Sequence, residues 1–195
     1  MITNVVLASN SGIRLEILKK NGFQVEQIPS SVDEEEVKNS LIASGASCLQ
    51  IAKSLAELKA NKVSQKFPEK VVIGADQVME LKGENFSKPK NKNEAKEILK
   101  KLNNNTHFLH SAVCVSRTGS MISHFHESCK LKVKNLSDDE IDSYIDRLNE
   151  DQMKKYGVYQ IEAGGLELFE EISDDMEAIM GLPMSQLKEY LFNLK

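Results

Sequence analysis

An α/β fold is the class this 195-residue sequence predicts, and three features predict it. The chain opens as strand, polar turn and helix over residues 4–22, a unit typical of sheets covered by helices. A short apolar run, Val71-Val72-Ile73, reads as a strand buried on both faces. A long segment of helical periodicity precedes that run, and two long alternating segments follow it.

Asn4 to Ala8 form the first strand. Ser9-Asn10-Ser11-Gly12 then breaks into a helix through Arg14, Leu15, Ile17 and Leu18, which stops at Asn21-Gly22. Hydroxyls and Arg14 gather at the positive end of this helix, an anion site by its physics, although Ser9 or Ser11 equally serves as a plain N-cap. Phe23 to Ile28 alternates as a half-exposed strand ended by Pro29. The acidic run Asp33-Glu34-Glu35-Glu36 suits a helix start, where carboxylates face the positive dipole. One of them is also of the type that holds Mg²⁺ together with substrate phosphates. From Ala46 to about Gln65, apolar residues recur at helical spacing and carry Lys59, for which the ordinary expectation is exposure to solvent.

The central stretch is Val71 to Val78, with Asp76 placed where the apolar run ends. An acid at that point is either a turn cap or a group aimed at a ligand beyond the strand's carboxyl end. Val78 to Leu81 and Asn85-Phe86 flank Lys82-Gly83-Glu84 as a hairpin, whose second arm delivers Ser87-Lys88-Pro89-Lys90. Asn91 to Glu94 has capping-box spacing and opens a helix to Leu102. His107 to Val115 and Met121 to Val133 form a long hairpin that contains all four histidines, read as ordinary strand residues rather than zinc ligands. Ser137 to Glu140 repeats the capping box, and Asn149 to Lys155 reads as a charged surface loop. Tyr159-Gln160-Ile161-Glu162 and the pair Gly164-Gly165 precede an expected strand at Leu166 to Ile172, and Gly181-Leu182-Pro183 starts the last helix.

A net charge of −4 argues against a nucleic-acid or membrane-surface binder, because no excess cation exists to neutralise phosphates. No apolar run reaches the length of a membrane span and the start lacks a secretory pattern, so the expectation is a cytoplasmic protein. Three cysteines without CxxC spacing suggest buried, reduced thiols. No linker splits the chain, so residues 1–195 are read as one domain.

Taken in order, these pieces resemble the Maf family of nucleoside triphosphate pyrophosphatases over nearly the whole chain. The resemblance rests on Leu7-Ala8-Ser9-Asn10-Ser11 with Arg14, Asp33-Glu34, Leu55 to Ala60, Ile73 to Val78, Ser87-Lys88-Pro89, the His107 strand, Tyr159 to Glu162 and Gly181-Leu182-Pro183. It implies a Maf/ITPase-like elongated mixed sheet flanked by helices, with two lobes and a nucleotide cleft between them. It implies hydrolysis of the α–β phosphate bond of a nucleoside triphosphate with a divalent metal, Mg²⁺, Mn²⁺ or Co²⁺. The resemblance makes Asp76 the catalytic base and a metal ligand with Glu34, and Ser9, Arg14, Lys59, Gln77, Lys88 and Glu162 the substrate-binding set. Homodimers are common for the fold, and a non-catalytic nucleotide-binding regulator of cell division is the competing class.

Three departures qualify the match. Gly12-Ile13-Arg14 stands where many members have two arginines, so phosphate binding is weaker or Lys90 compensates. Gln77 and Glu162 replace a threonine and a glutamine, which is similar to the branch that includes 7-methyl-GTP pyrophosphatases. A carboxylate at 162 matches the N1–H and N2–H₂ donors of guanine, whereas an amide suits uracil or thymine.

Overall fold

Strand β1 (Asn4–Leu7) is followed by helix α1 (Gly12–Lys20), strand β2 (Gln24–Gln27) and helices α2 (Glu34–Ala43) and α3 (Cys48–Ser64). The central strand β3 (Val72–Leu81) turns through Lys82 and Gly83 into β4 (Glu84–Phe86), and α4 (Lys92–Leu102) leads to the long hairpin β5 (Thr106–Arg117) and β6 (Ser120–Val133). Helices α5 (Asp138–Arg147) and α6 (Glu150–Tyr156), a 3-10 turn (Gly165–Leu168), β7 (Phe169–Ile172), α7 (Met176–Ile179) and α8 (Met184–Asn193) complete the chain. The computed structural model describes residues 3–161 and 164–194.

The described strands are hydrogen-bonded in the order β2-β1-β3-β5-β6-β7, with β4 on β3. β1 pairs in parallel with β2 and β3, whereas the β3–β4 and β6–β7 pairs are antiparallel, so the sheet is mixed. Both hairpin turns place two consecutive residues at positive φ, Lys82-Gly83 and Thr118-Gly119, the mirror-image turn that matches strand twist.

Cα proximity divides the chain into two units, the first comprising Met1–Val78, His110–Ser128 and Asp175–Lys195, the second Met79–Leu109 and Cys129–Asp174. The first has three layers. On one face of its sheet, Ile17 and Leu18 of α1 and Leu187 and Leu191 of α8 pack on Val5, Leu7, Ile73, Ala75, Val113 and Val115. On the other face, Ile51, Ala52, Leu55, Ala56 and Ala60 of α3 pack on Val78, Ala112 and Cys114, with Val37 and Leu41 of α2 against them. In the second unit, α4 and α5 bury Ala95, Leu99, Leu102, Ile141, Tyr144 and Ile145. There His107, Tyr159 and Phe169 form an aromatic group, with His107 and Tyr159 bonded Nε2 to Oη at 2.6 Å.

Four expectations need correction. Asn149 to Lys155 is no loop: Asn149 caps α6, whose acidic first turn and basic last turn complement the helix dipole. Only Met153 of this helix is buried, so it has no apolar periodicity to read. The strand after the paired glycines begins at Phe169 rather than Leu166, the 3-10 turn taking the intervening residues. At α4, Asn91 caps Glu94 N–H, but the Glu94 carboxylate accepts from Lys90 N–H, one residue short of a reciprocal box. Finally, β3 does not end at Asp76 but runs five residues further. The company of β1 ends before Asp76, since its pairing with β3 covers only Val72 and Ile73.

Candidate active site

Ser11 is the N-cap of α1, accepting from Arg14 N–H at 3.3 Å. That leaves Ser9, whose Oγ accepts from Ser11 N–H at 3.2 Å and lies 3.5 Å from Arg14 Nη1. Gln27 braces the same turn by donating to Ser9 O and Ser11 O. Arg14 projects from the first turn of α1 and is spent on the fold. Its Nε donates to Gly181 O at 2.9 Å and its Nη1 to Ala75 O at 2.8 Å. Gly181 is required there, since its φ is +93° and a Cβ would stand 3.1 Å from the guanidinium.

Alternation along β3 decides what each neighbour sees. Gly74, Asp76 and Val78 face α3, while Ile73, Ala75 and Gln77 face the α1–α8 side. The face toward α3 is built on small residues: Ala52, Ala56 and Ala60 lie at i, i+4 and i+8 of α3, and none is more than 1% exposed. A Cβ on Gly74 would fall 2.2 Å from Ala56 O. This close approach brings Lys59, which is not solvent-exposed as an ordinary helical lysine would be, to 4% exposure beside Asp76 at 7%.

Lys59 Nζ lies 2.6 Å from Asp76 Oδ1 and 2.9 Å from Glu34 Oε1, so two carboxylates share one ammonium. Glu34 reaches it from the first turn of α2, where Asp33, the N-cap, accepts from Glu36 N–H at 3.0 Å. Burial pushes the Asp76 carboxyl above the usual carboxylate range, and the charges of Lys59 and Arg14 pull it back only in part. The Arg14 guanidinium is correspondingly lowered by burial and supported by Asp76 and Glu34. Lys38, which sequence reasoning passed over, belongs to this electrostatic group: burial lowers its ammonium, with Asp76 the leading charge acting in the opposite direction. Its only sequence signal is its place one helical turn after Glu34.

Ser9, Arg14, Glu34, Lys59, Asp76 and Gln77 all belong to the first unit. Gln77, however, faces away from Asp76: its Nε2 lies 2.7 Å from Ser111 Oγ, 2.8 Å from Ile179 O and 3.2 Å from Ala178 O, tying α7 to the sheet. Lys88 belongs to the second unit, where its Nζ donates to Lys155 O at 2.6 Å. Lys90 is exposed, with its backbone N–H on Glu94. Glu162 lies outside the described residues. Cys48, Cys114 and Cys129 are buried and in no disulfide.

Among the described residues no group of three or more His, Cys, Asp and Glu forms a metal cage. The two carboxylates on Lys59 do fit a hard cation of the Mg²⁺ type, which takes one or two protein carboxylates and completes its shell with water and substrate phosphate. Asp76 and Glu34 would hold it.

Comparison with known proteins then places the chain in a wider set. The sequence profile of the family described as Maf-like protein matches residues 4–194. The chain is 46% identical over 195 residues to a nucleoside triphosphate pyrophosphatase of Pelagibacter ubique, covering all of both chains. It is 36% identical over 187 residues to a 7-methyl-GTP pyrophosphatase of Rhizobium etli, covering 96% of this chain and 94% of that one. Among solved structures, a HAM1 protein from Coxiella burnetii aligns at a TM-score of 0.45 and 12% identity, over 81% of this chain and 92% of that one.

Proposed function

The chain belongs to the Maf-like protein family and is a nucleoside triphosphate pyrophosphatase, a hydrolase acting on acid anhydrides; we propose that it cleaves the α–β bond with Asp76 as general base and a divalent metal held by Asp76 and Glu34. The observation that carries this reading is the pairing of Asp76 and Glu34 on the single buried ammonium of Lys59.

Asp76 takes a proton from the attacking water as its oxygen bonds to the α-phosphorus, and the bridging P–O bond breaks to release pyrophosphate. A carboxyl raised by burial is a stronger base than one in water. Lys59 fixes the rotamer of Asp76 through the 2.6 Å bond, so the base does not have to be ordered at the moment of reaction. When bound, Mg²⁺, Mn²⁺ or Co²⁺ supplies charge neutralisation at the phosphate oxygens. Ser9, Arg14 and Lys88 are read as substrate contacts. Arg14 brings only what its guanidinium retains after its bonds to Gly181 O and Ala75 O. Gln77 acts on the substrate through the segment it anchors, Ala178-Ile179.

The base we propose is guanine or a modified purine. This rests on the residue type at Glu162, since a carboxylate matches two donors of a guanine edge, and on the likeness to a 7-methyl-GTP pyrophosphatase. A cytoplasmic setting belongs to the same reading, supported by the three reduced thiols.

The test is pyrophosphate release by the full chain from 7-methyl-GTP, GTP, UTP and dTTP, with each metal and after chelation. Asp76→Asn is expected to lower kcat by about 10²- to 10⁴-fold, the usual contribution of a positioned base. Undiminished turnover in that variant moves the base elsewhere, activity that survives chelation removes the metal, and an exclusive UTP or dTTP preference removes the guanine reading.

A further inference from the structure

Charge balance at the Asp76 site carries an inference that rests on the reading above. Two of the cations expected to receive the triphosphate are already committed to protein groups. Lys59 is held between Asp76 and Glu34, and Arg14 donates to two backbone carbonyls. Among the protein's own side chains, these two cations only balance the two carboxylates beside them, so apart from the charge a bound metal would bring, the cluster offers a polyanion no net positive side chain.

Helix α2 supplies the missing charge. Glu34, Val37, Lys38 and Leu41 form one stripe of this helix at i, i+3, i+4 and i+7. Val37 and Leu41 pack on the α3 cluster, and Glu34 reaches Lys59 of α3, so the stripe is the face turned toward the site. Lys38 lies in the middle of that face and is half-buried. The geometry points to Lys38 as a further substrate-binding residue, the cation that adds a net positive charge to the otherwise balanced side chains Arg14, Lys59, Asp76 and Glu34 and faces the phosphates of its nucleotide.

Asp76 acts electrostatically on Lys38, and so does Glu35, which is exposed on the first turn of α2 and screened by water. Lys38 keeps its protein interactions in this structure; a phosphate competes for its ammonium rather than meeting it bare. It also stands in the same unit as the base.

Steady-state kinetics of Lys38→Gln, Lys38→Arg and the control Lys20→Gln test this, beside calorimetric binding of inorganic tripolyphosphate. Lys38→Gln is expected to raise KM and the tripolyphosphate Kd by about five- to tenfold, the effect of one partly screened charge contact. Its kcat stays within about twofold of wild type, as for an interaction made equally in ground and transition states. Its KM also becomes less sensitive to salt. Lys38→Arg restores both constants, and Lys20→Gln changes neither. The inference is overturned if Lys38→Gln matches wild type in KM and Kd, or if Lys38→Arg is as impaired as Lys38→Gln with kcat and Tm falling together. Tripolyphosphate binding requires no turnover, so it reads Lys38 separately even if Asp76→Asn stays active and the catalytic assignment falls.

Discussion

Replacing Gly74 with alanine tests whether the approach of α3 to β3 creates the site. The added Cβ would meet Ala56 O at 2.2 Å, Ala60 N at 2.6 Å and Ala60 Cβ at 2.9 Å. A carbon and an oxygen normally settle at about 3.3 Å or more, so α3 must withdraw by about 1 Å along this contact. Overpacking of a dense core costs about 1–3 kcal/mol, and the upper end applies because the nearest obstacles are backbone atoms. For a chain of this size about 3 kcal/mol lowers Tm by roughly 6–12 °C. The same withdrawal stretches the 2.6 Å Lys59–Asp76 contact beyond hydrogen-bond range, so kcat falls as well. Calorimetry and pyrophosphate release on one preparation read both effects. Ala60→Gly in the same chain gives no rescue, because the 2.2 Å clash is with the carbonyl of Ala56. Gly22→Ala, at φ +91° with nothing within 4 Å, costs only about 1–2 kcal/mol of backbone strain and leaves kcat unchanged. A Gly74→Ala protein that melts within about 2 °C of wild type, a range worth under 1 kcal/mol, and keeps its turnover would refute the argument.

Two other outcomes follow from buried charge. His107 is fully buried and neutral, with burial pushing its pKa down to about 4 from the ordinary 6.5. The unfolded chain therefore binds the proton first, and stability is lost as pH falls from about 6.5 toward 4, by roughly 3 kcal/mol in all. Urea melts across that range should show a shallower pH slope for His107→Gln; an unchanged slope would place the proton uptake elsewhere. Lys59→Met leaves Asp76 and Glu34 without their shared cation and should cost about 3–5 kcal/mol, the usual result of removing one member of a buried pair. Adding Asp76→Asn should recover part of that loss; simple additivity in the double-variant cycle would mean the two residues do not interact.

The elements whose signals are local were legible in the residues themselves. Ser11 and Ser137 each cap a helix that begins at the next residue. Lys82-Gly83 marks a hairpin. α6 escaped because its evidence is polar, a cap and a charge gradient rather than an apolar stripe. Lys38, and the burial of Lys59, escaped for a different reason: each residue is an ordinary helical lysine by spacing, and burial is conferred by partners distant in sequence. The buried fate of Lys59 depends on Gly74 of β3 meeting the alanine face of α3, a pairing that α3 alone does not encode.

By itself, the sequence determined the residue types at the site and their parity. Asp76 and Gln77 are adjacent in a strand, so they had to face opposite ways. Which face receives α3 and which receives α1 and α8 was decided only by tertiary packing, because a two-residue period assigns sides without naming what covers them. The tight α3 contact through Gly74 made the Asp76 side the one with paired carboxylates and buried lysine, and left Gln77 to hold Ala178 and Ile179.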